Sequence, residues 1–513
     1  MAEVSRTARV IQNAKVALFF YCINLVLQFF SRKIFLDYLG AELLGLNTTA
    51  QNLLQFLNLA ESGIGAAVAF ALYKPLSQNN RQEIIDIVSL QGWFYRWVGL
   101  FVIAGSIVLM AFFPWIFAKA EVPLIYAYGT FIAFLISALL GYFINYKMIV
   151  LSADQKEYKI TIETQSIKVI KVLFQMLVIW KLSHGYVWWI ILEVLGAIMI
   201  SIRLNYRVKR EYPWLRTDIT KGEELKTQYS FVLTKTRQLI FHKVGGFVLW
   251  QTTPLIVYAF TTLSVVAIYG NYVLILGGCL LLVDALSRGL NASVGNLVAN
   301  GDKEIIKNVF WQLLTVRLFF AGFICTGFFL LSESFVELWV GKEYVMPTLP
   351  MIALLLVYFI QMSRTCDIFL AAYGLFQDIW APVVESISSI VLSILFGYLW
   401  GITGIFIGTL ISQLVIVNSW RPYFLYKCAF RENISEYVML YTKKLFMVLF
   451  LSCSTSVVDI RIESWIEWIG YAFWLALLYF FVGTILFYFI DEHFRVITYK
   501  ISNRINLVLF NKK

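Results

Sequence analysis

Charge is scarce in this chain: 14% of its 513 residues are Asp, Glu, Lys or Arg, against 60% hydrophobic. Soluble domains carry about 25% charged residues, so a single water-bathed core is excluded and the membrane must be the solvent. Histidine is rarer still, with three residues, and no second His or Cys stands near any of them at ligand spacing, which leaves no visible metal site. The six cysteines, Cys22, Cys279, Cys325, Cys366, Cys428 and Cys453, lie far apart with no CxxC pair. They read as buried small apolar residues. No GxxxxGK[ST] loop, dinucleotide fingerprint or activated nucleophile is present, so neither ATP hydrolysis nor a bound cofactor is expected. Met1 to Lys15 lacks an A-x-A cleavage site and reads as a cytoplasmic lead-in, not a secretory signal.

What the chain has instead is apolar length. Val98 to Phe117, Leu124 to Val150 and Leu313 to Leu331 are nearly continuous apolar runs, and a helix needs about 20 residues to cross hydrocarbon. The strict alternation of a β-barrel is absent, so backbone polar groups must be satisfied within helices. The expected fold is an all-α polytopic membrane protein with fourteen spans, near 14–36, 44–73, 91–117, 123–150, 157–181, 184–205, 229–260, 263–292, 308–331, 346–370, 379–400, 402–426, 438–458 and 466–490. These group as a six-helix bundle over 1–207, a basic cytoplasmic linker over 208–228, a second bundle over 229–430, and two further helices with a basic tail over 431–513.

The net charge of +11 follows the connectors. Only Arg32, Lys33, Lys119, Lys181, Lys342 and Arg461 of the 42 basic residues fall at external ends when both termini are cytoplasmic, so the positive-inside rule fixes that orientation and nucleic acid is not an expected partner. The halves echo one another: Asn47 opens a helix ending in Gln78-Asn79-Asn80-Arg81-Gln82-Glu83, and Asn271 opens one ending in Asn300-Gly301-Asp302-Lys303-Glu304. Six helices separate the copies, which gives a parallel repeat about an axis along the membrane normal. No external connector exceeds about 15 residues, too little for a folded external domain, and this weighs against catalysis.

Polar residues fall in stripes. On the second span Asn47, Gln51, Gln55, Asn58 and Ser62 recur at steps of 4, 4, 3 and 4, with Glu61 beside them; Asn24, Gln28 and Ser31 repeat the theme on the first. Either interhelical hydrogen bonding or a hydrated, sugar-binding cavity accounts for such a face. The seventh span gathers Lys235, Arg237, Gln238, His242 and Lys243, and the eighth carries Asp284, Arg288, Asn291 and Gly295. Asp284 and Arg288 form an i,i+4 pair that partly neutralises itself, and Glu61 and Asp284 are the candidate coupling charges. Each charge near the bilayer centre costs roughly 2.5–3.5 kcal/mol, so Lys168, Lys171, Lys235, Arg237, Lys243, Arg288 and Arg317 should face protein or water. Their shared sign suits an anionic cargo such as a diphosphate, although the positive-inside bias also places cations at cytoplasmic edges.

The segment Phe30-Ser-Arg-Lys-Ile-Phe-Leu-Asp-Tyr-Leu-Gly40-Ala-Glu-Leu-Leu-Gly-Leu-Asn47, continuing through Asn52 to Gly65 and Leu72-Tyr-Lys-Pro75, resembles Wzx-type polysaccharide flippases. His242-Lys-Val-Gly-Gly246, Ile268-Tyr-Gly-Asn271-Tyr and Val294-Gly-Asn296-Leu-Val fit the same resemblance. It implies the fold of the multidrug/oligosaccharidyl-lipid/polysaccharide (MOP) superfamily, two six-helix bundles in a V with two helices behind, and a cavity lined largely by helices 1, 2, 7 and 8. The implied cargo is an undecaprenyl-diphosphate-linked oligosaccharide, the repeat unit of O-antigen, capsule or another exopolysaccharide, carried across a bacterial cytoplasmic membrane. Lys235, Arg237, Lys243 and Arg288 would then meet the diphosphate, and Asn24, Gln28, Asn47, Gln51, Gln55 and Asn58 the sugars; a polymerase or glycosyltransferase partner is plausible. One departure is Gln251-Thr252-Thr253-Pro254, where many such sequences carry a Thr-Asp pair. The alternatives are a MATE-like exporter, whose cationic cargo would favour a more acidic cavity, and a membrane glycosyltransferase or polymerase, which needs acidic groups near an external loop.

Overall fold

The structure, a computed structural model, describes residues 6–61, 63–300, 302–375, 377–378, 380–455 and 462–500, without the side chains of 6–8, 10, 60, 237–250, 285–293, 296 and 299–300. Helices account for every regular element among the described residues. Ten stretches among the described residues are long and apolar enough to cross a membrane. Two of these, Ile11–Asn58 and Trp380–Phe430, run 48 and 51 residues, about twice one crossing. The first breaks at Gly40 (φ +81°) and the second at Trp400–Gly401 (φ +58° at Gly401), so each holds two crossings. Over their described residues the fourteen expected spans fall largely on helix.

The chain divides into two compact units, Met1–Ala267 and Ile268–Lys513. The first holds α1 (Arg6–Asn58), α2 (Ile64–Ser77), α3 (Arg81–Ala111), α4 (Phe113–Ile116), α5 (Leu124–Phe143), α6 (Ile149–Ala153), α7 (Glu157–Lys181), α8 (Gly185–Glu211), α9 (Gly222–Gln228) and α10 (Ser230–Phe260). Here α7 packs between α1 and α8, α5 against α8, α3 against α2 and α5, and α10 against α1 and α2. Part of the expected linker is thus helical, and Gly222 of α9 lies so close to Trp93 that a Cβ would sit 2.0 Å from the indole.

The second unit contains most of α11 (Leu263–Asn300), then α12 (Lys303–Trp339), α13 (Thr348–Ser363), α14 (Cys366–Ala372), α15 (Trp380–Val415), α16 (Arg421–Leu425), α17 (Ile434–Thr455) and α18 (Trp465–Ile490). Its core is aromatic, with Phe310, Trp311, Phe319, Phe369, Tyr426, Phe430 and Tyr479 buried together. Helix α18 buries Tyr471, Leu475, Tyr479, Gly483 and Phe487 while exposing Phe473, Leu477, Phe481, Ile485 and Phe489. A helix apolar on both faces packs on protein on one side and lipid on the other, so the chain is a multi-pass membrane protein. The expectation of buried cysteines holds for Cys366; Cys279 and Cys325 are half-buried, and Cys22, Cys428 and Cys453 lie on exposed faces.

The internal repeat is built into helix ends. Asn80 caps α3 by accepting from the Glu83 N–H, and Asp302 caps α12 by accepting from that of Glu304, both at 3.3 Å. In the first unit the chain breaks between α5 and α6 at Ile144–Met148 and closes α6 with Gln155 at φ +59°. In the second it breaks between α13 and α14 at Arg364–Thr365 and closes α14 with Gly374 at φ +67°. The closures make the same bonds, Lys156 N–H to Leu151 C=O (2.8 Å) and Leu375 N–H to Leu370 C=O (2.9 Å), the six-to-one bond of a Schellman cap.

Candidate functional site

The stripe on α1 divides in two. At about 100° per residue the positions 47, 51, 55 and 58 fan over roughly 80°, and Asn47 with Asn58 occupies one edge of that fan. Asn47 is buried and its Oδ1 accepts from the Tyr186 hydroxyl at 2.7 Å, which in turn lies 2.5 Å from Thr130 Oγ1. Asn24 on the preceding span donates to Gln165 Oε1 (3.1 Å) and to its own helix at Phe20 C=O (2.8 Å). These two serve as interhelical bonds within the unit. Gln28 and Gln51 are exposed and Gln55 is half-buried, on the open edge of the fan.

The lower end of the stripe faces a cleft of about 350 Å³ enclosed by α1, α3, α5 and α6, with Asn58, Glu61, Gln91, Tyr95, Tyr142 and Ser152 among its walls. The Tyr95 hydroxyl donates to Glu61 Oε1 at 2.7 Å, and the Tyr142 hydroxyl to Asn58 Oδ1 at 2.9 Å. Glu61 sits on a single 3-10 turn just after α1, a bend that takes its carboxylate off the helical stripe and into the cleft.

Of the expected cations, Lys235 is exposed on α10, while the side chains of Arg237, Lys243 and Arg288 lie outside the described residues. Asp284 is half-exposed and lies 3.5 Å from the Arg317 guanidinium. Its i,i+4 partner therefore has a competitor from α12 that sequence spacing does not reveal.

Arg317 belongs to a charge network that sequence reading missed. Its Nε donates to Met362 C=O (2.8 Å), in the last turn of α13 before the break. At the break, Arg364 grips Glu385 of α15 with both terminal nitrogens (3.1 and 3.0 Å) and donates through Nε to Asp367 of α14 (2.9 Å). Arg421 bonds Asp378 (3.0 Å) and lies 3.4 Å from the other Asp367 oxygen. Five segments are tied together by alternating charge, and Glu385 is almost wholly buried. The available signal was an Arg and a Glu within consecutive apolar spans, since an ionisable group in a span implies a partner or a task. The first unit has its own pairs: Glu163 accepts from both Arg203 and Arg207, and Lys171 meets Glu193 at 2.6 Å.

Beyond the spans, Asp154 receives Arg9, Lys156 and Tyr212. Burial raises its pKa, but the hydrogen bonds and charges of these partners outweigh it and hold the carboxyl below its ordinary range. Among the described residues no cluster of three or more His, Cys, Asp or Glu is arranged to hold a metal ion.

No family model and no curated protein matches the chain by sequence. Solved structures do match its fold. One, described as lipid II flippase MurJ in an inward closed conformation, is 15% identical and superposes with a TM-score of 0.66 over 93% of this chain and 99% of that one. Another, an inward-facing multidrug-resistance MATE transporter of the MOP superfamily, is 11% identical with a TM-score of 0.63 over 82% of this chain and 99% of its own.

Proposed function

We propose that this protein, whose fold is that of MOP-superfamily transporters, is a flippase for undecaprenyl-diphosphate-linked oligosaccharides. It acts by alternating access in a bacterial cytoplasmic membrane, with both termini in the cytoplasm. The observation that carries the reading is the shared architecture with a lipid II flippase over 93% of the chain, joined to a sequence that sets Lys235, Arg237, Lys243 and Arg288 on two spans and acids sparsely among them. Cations at one depth suit a diphosphate, which Arg grips in a fork and Lys follows as a movable charge. The open polar edge of α1, Gln28, Gln51 and Gln55, supplies hydrogen-bonding groups for hydrated sugars.

The fold match to a MATE transporter is nearly as good, so an exporter of small molecules is the second reading. Complementation separates the two. A polysaccharide-producing bacterium deleted for its flippase should regain surface polymer and lose its accumulated lipid-linked repeat units when this protein is expressed. Persistent intermediates across several cognate pathways at normal membrane levels, with dye efflux gained, would establish the exporter instead.

A further inference from the structure

Lys168 is a charge that the first unit leaves unspent. It lies near the middle of α7, about 17 Å from the first residue of that helix and about 20 Å from the last, too deep for its four-carbon stem to reach either interface. It is exposed and has no hydrogen bond or ion pair among the described residues. Glu193, the acid whose charge reaches it, is already held by Lys171 at 2.6 Å and by the Gln175 amide at 3.0 Å. The other exposed residues of α7 from Ile162 to Trp180 are Ile162, Ile170, Leu173, Phe174, Leu177 and Trp180. All are apolar, and at about 100° per residue each stands about 120° or more around the helix from Lys168. They form the lipid face. Lys168 belongs to a second opening, with Thr161, Thr164 and Gln165 within about 60° of it.

Helix α1 is divided in the same way: from Phe19 to Lys33, the exposed Phe19, Cys22, Val26, Phe30 and Lys33 all stand about 120° or more from the exposed Gln28. The two helices run in the same direction along one seam, since Asn13 meets Gln155 and Tyr158 while Asn24 meets Gln165. One turn further on, the next residues in that register are Gln28 and Lys168. Gln165 spends its Oε1 on Asn24, but its NH2, like that of Gln28, has no partner among the described residues. The seam therefore presents spare donors, an ammonium with the Gln28 and Gln165 amides beside it. We infer that Lys168 binds a phosphate of the cargo's diphosphate, with Gln165 donating alongside and Gln28 standing where the diphosphate gives way to the first sugar. An ammonium is all donor and follows phosphate oxygens as a movable point charge, whereas a cationic cargo would be repelled here. The assignment rests on the flippase reading for the molecule that carries the phosphate, and on the seam alone for its preference for an anion.

Full-length protein in phosphatidylcholine nanodiscs, which hold no anionic lipid, tests it by thermophoresis with farnesyl diphosphate as the probe and farnesol as the uncharged control. Lys168→Gln should weaken farnesyl diphosphate binding by about tenfold, the equivalent of roughly 1.4 kcal/mol, and Lys168→Arg should keep it, with farnesol indifferent to both changes. Because Lys168 has no partner to lose, Lys168→Gln should unfold at or near the native temperature, which a lysine kept for structure would not allow. No binding of farnesyl diphosphate by the native protein, or equal binding by Lys168→Gln, overturns the assignment. Binding of inorganic pyrophosphate without farnesyl diphosphate would put a free anion in place of a lipid-linked one and overturn it too. The two readings fail separately: polymer restored equally by the native protein and by Lys168→Gln sinks the lysine alone, whereas charge-dependent diphosphate binding without complementation in any pathway leaves the lysine and sinks the flippase.

Discussion

Arg364 and Glu385 show what a single pair contributes inside a bundle. Glu385 meets its guanidinium at two oxygens and is 2% exposed, so removing the arginine strands a carboxylate that has left water. Arg364→Met is expected to destabilise the protein by about 3–5 kcal/mol, and the double change Arg364→Met with Glu385→Gln to recover part of it, because the Glu385 position then carries no stranded charge while Asp367 still lacks its Arg364 bond. Thermal unfolding in nanodiscs measures both; a single variant as stable as the native protein would show that the pair has no such role. The same scale explains why the α1 stripe was only half legible. A step of four positions rotates about 40°, so a regular polar series drifts across the border between packed and open faces. Asn47 ends in a buried bond to Tyr186 and Gln51 in the open, a division that depends on neighbours and not on spacing.

Among the elements, the corner between α10 and α11 shows how tightly the first unit is closed. Ser264 donates to Glu42 Oε1 at 2.9 Å, and Arg32 to Ala267 C=O at 3.0 Å. One turn beyond Glu42, Gly45 comes so near that a Cβ would stand 1.9 Å from the Leu263 C=O oxygen. Since that neighbour is backbone, Gly45→Leu has to push α1 off the corner, at a cost of about 1–3 kcal/mol or more. The expected result is a lower melting temperature together with impaired polymer export in the complementation strain; native behaviour in both would mean that the contact is dispensable. Helix existence was legible at this scale because each run of apolar residues is long, and α7 even ends where expected, at Lys181. So were the breaks at Gly40 and Gly401, which adopt positive φ in the stretches that read as connectors between spans. The Arg364–Thr365 gap was not, because it falls inside one expected span, where Asp367 and Glu385 hold Arg364.

For the whole molecule, apolar content gave the all-α, multi-pass fold class, since hydrocarbon permits few alternatives. The fold repeat was visible as a short echo around Asn80 and Asp302, each of which caps the helix that follows it. The charge network stayed hidden because its members are spread from Arg317 to Arg421, and only the folded chain brings them together. That spread has a bearing on how the protein is made. A span carrying Arg364 leaves the ribosome before the span carrying Glu385, and an unpaired arginine within a span makes insertion of the first less favourable. Biogenesis should therefore be paired: chains truncated after Gly374 are expected to leave the 346–370 segment poorly integrated, and chains extended through Gly401 to integrate it fully. Glycosylation mapping of nascent chains reads this directly, and equal integration at both lengths would mean that the bridge forms only after each helix has entered the membrane on its own.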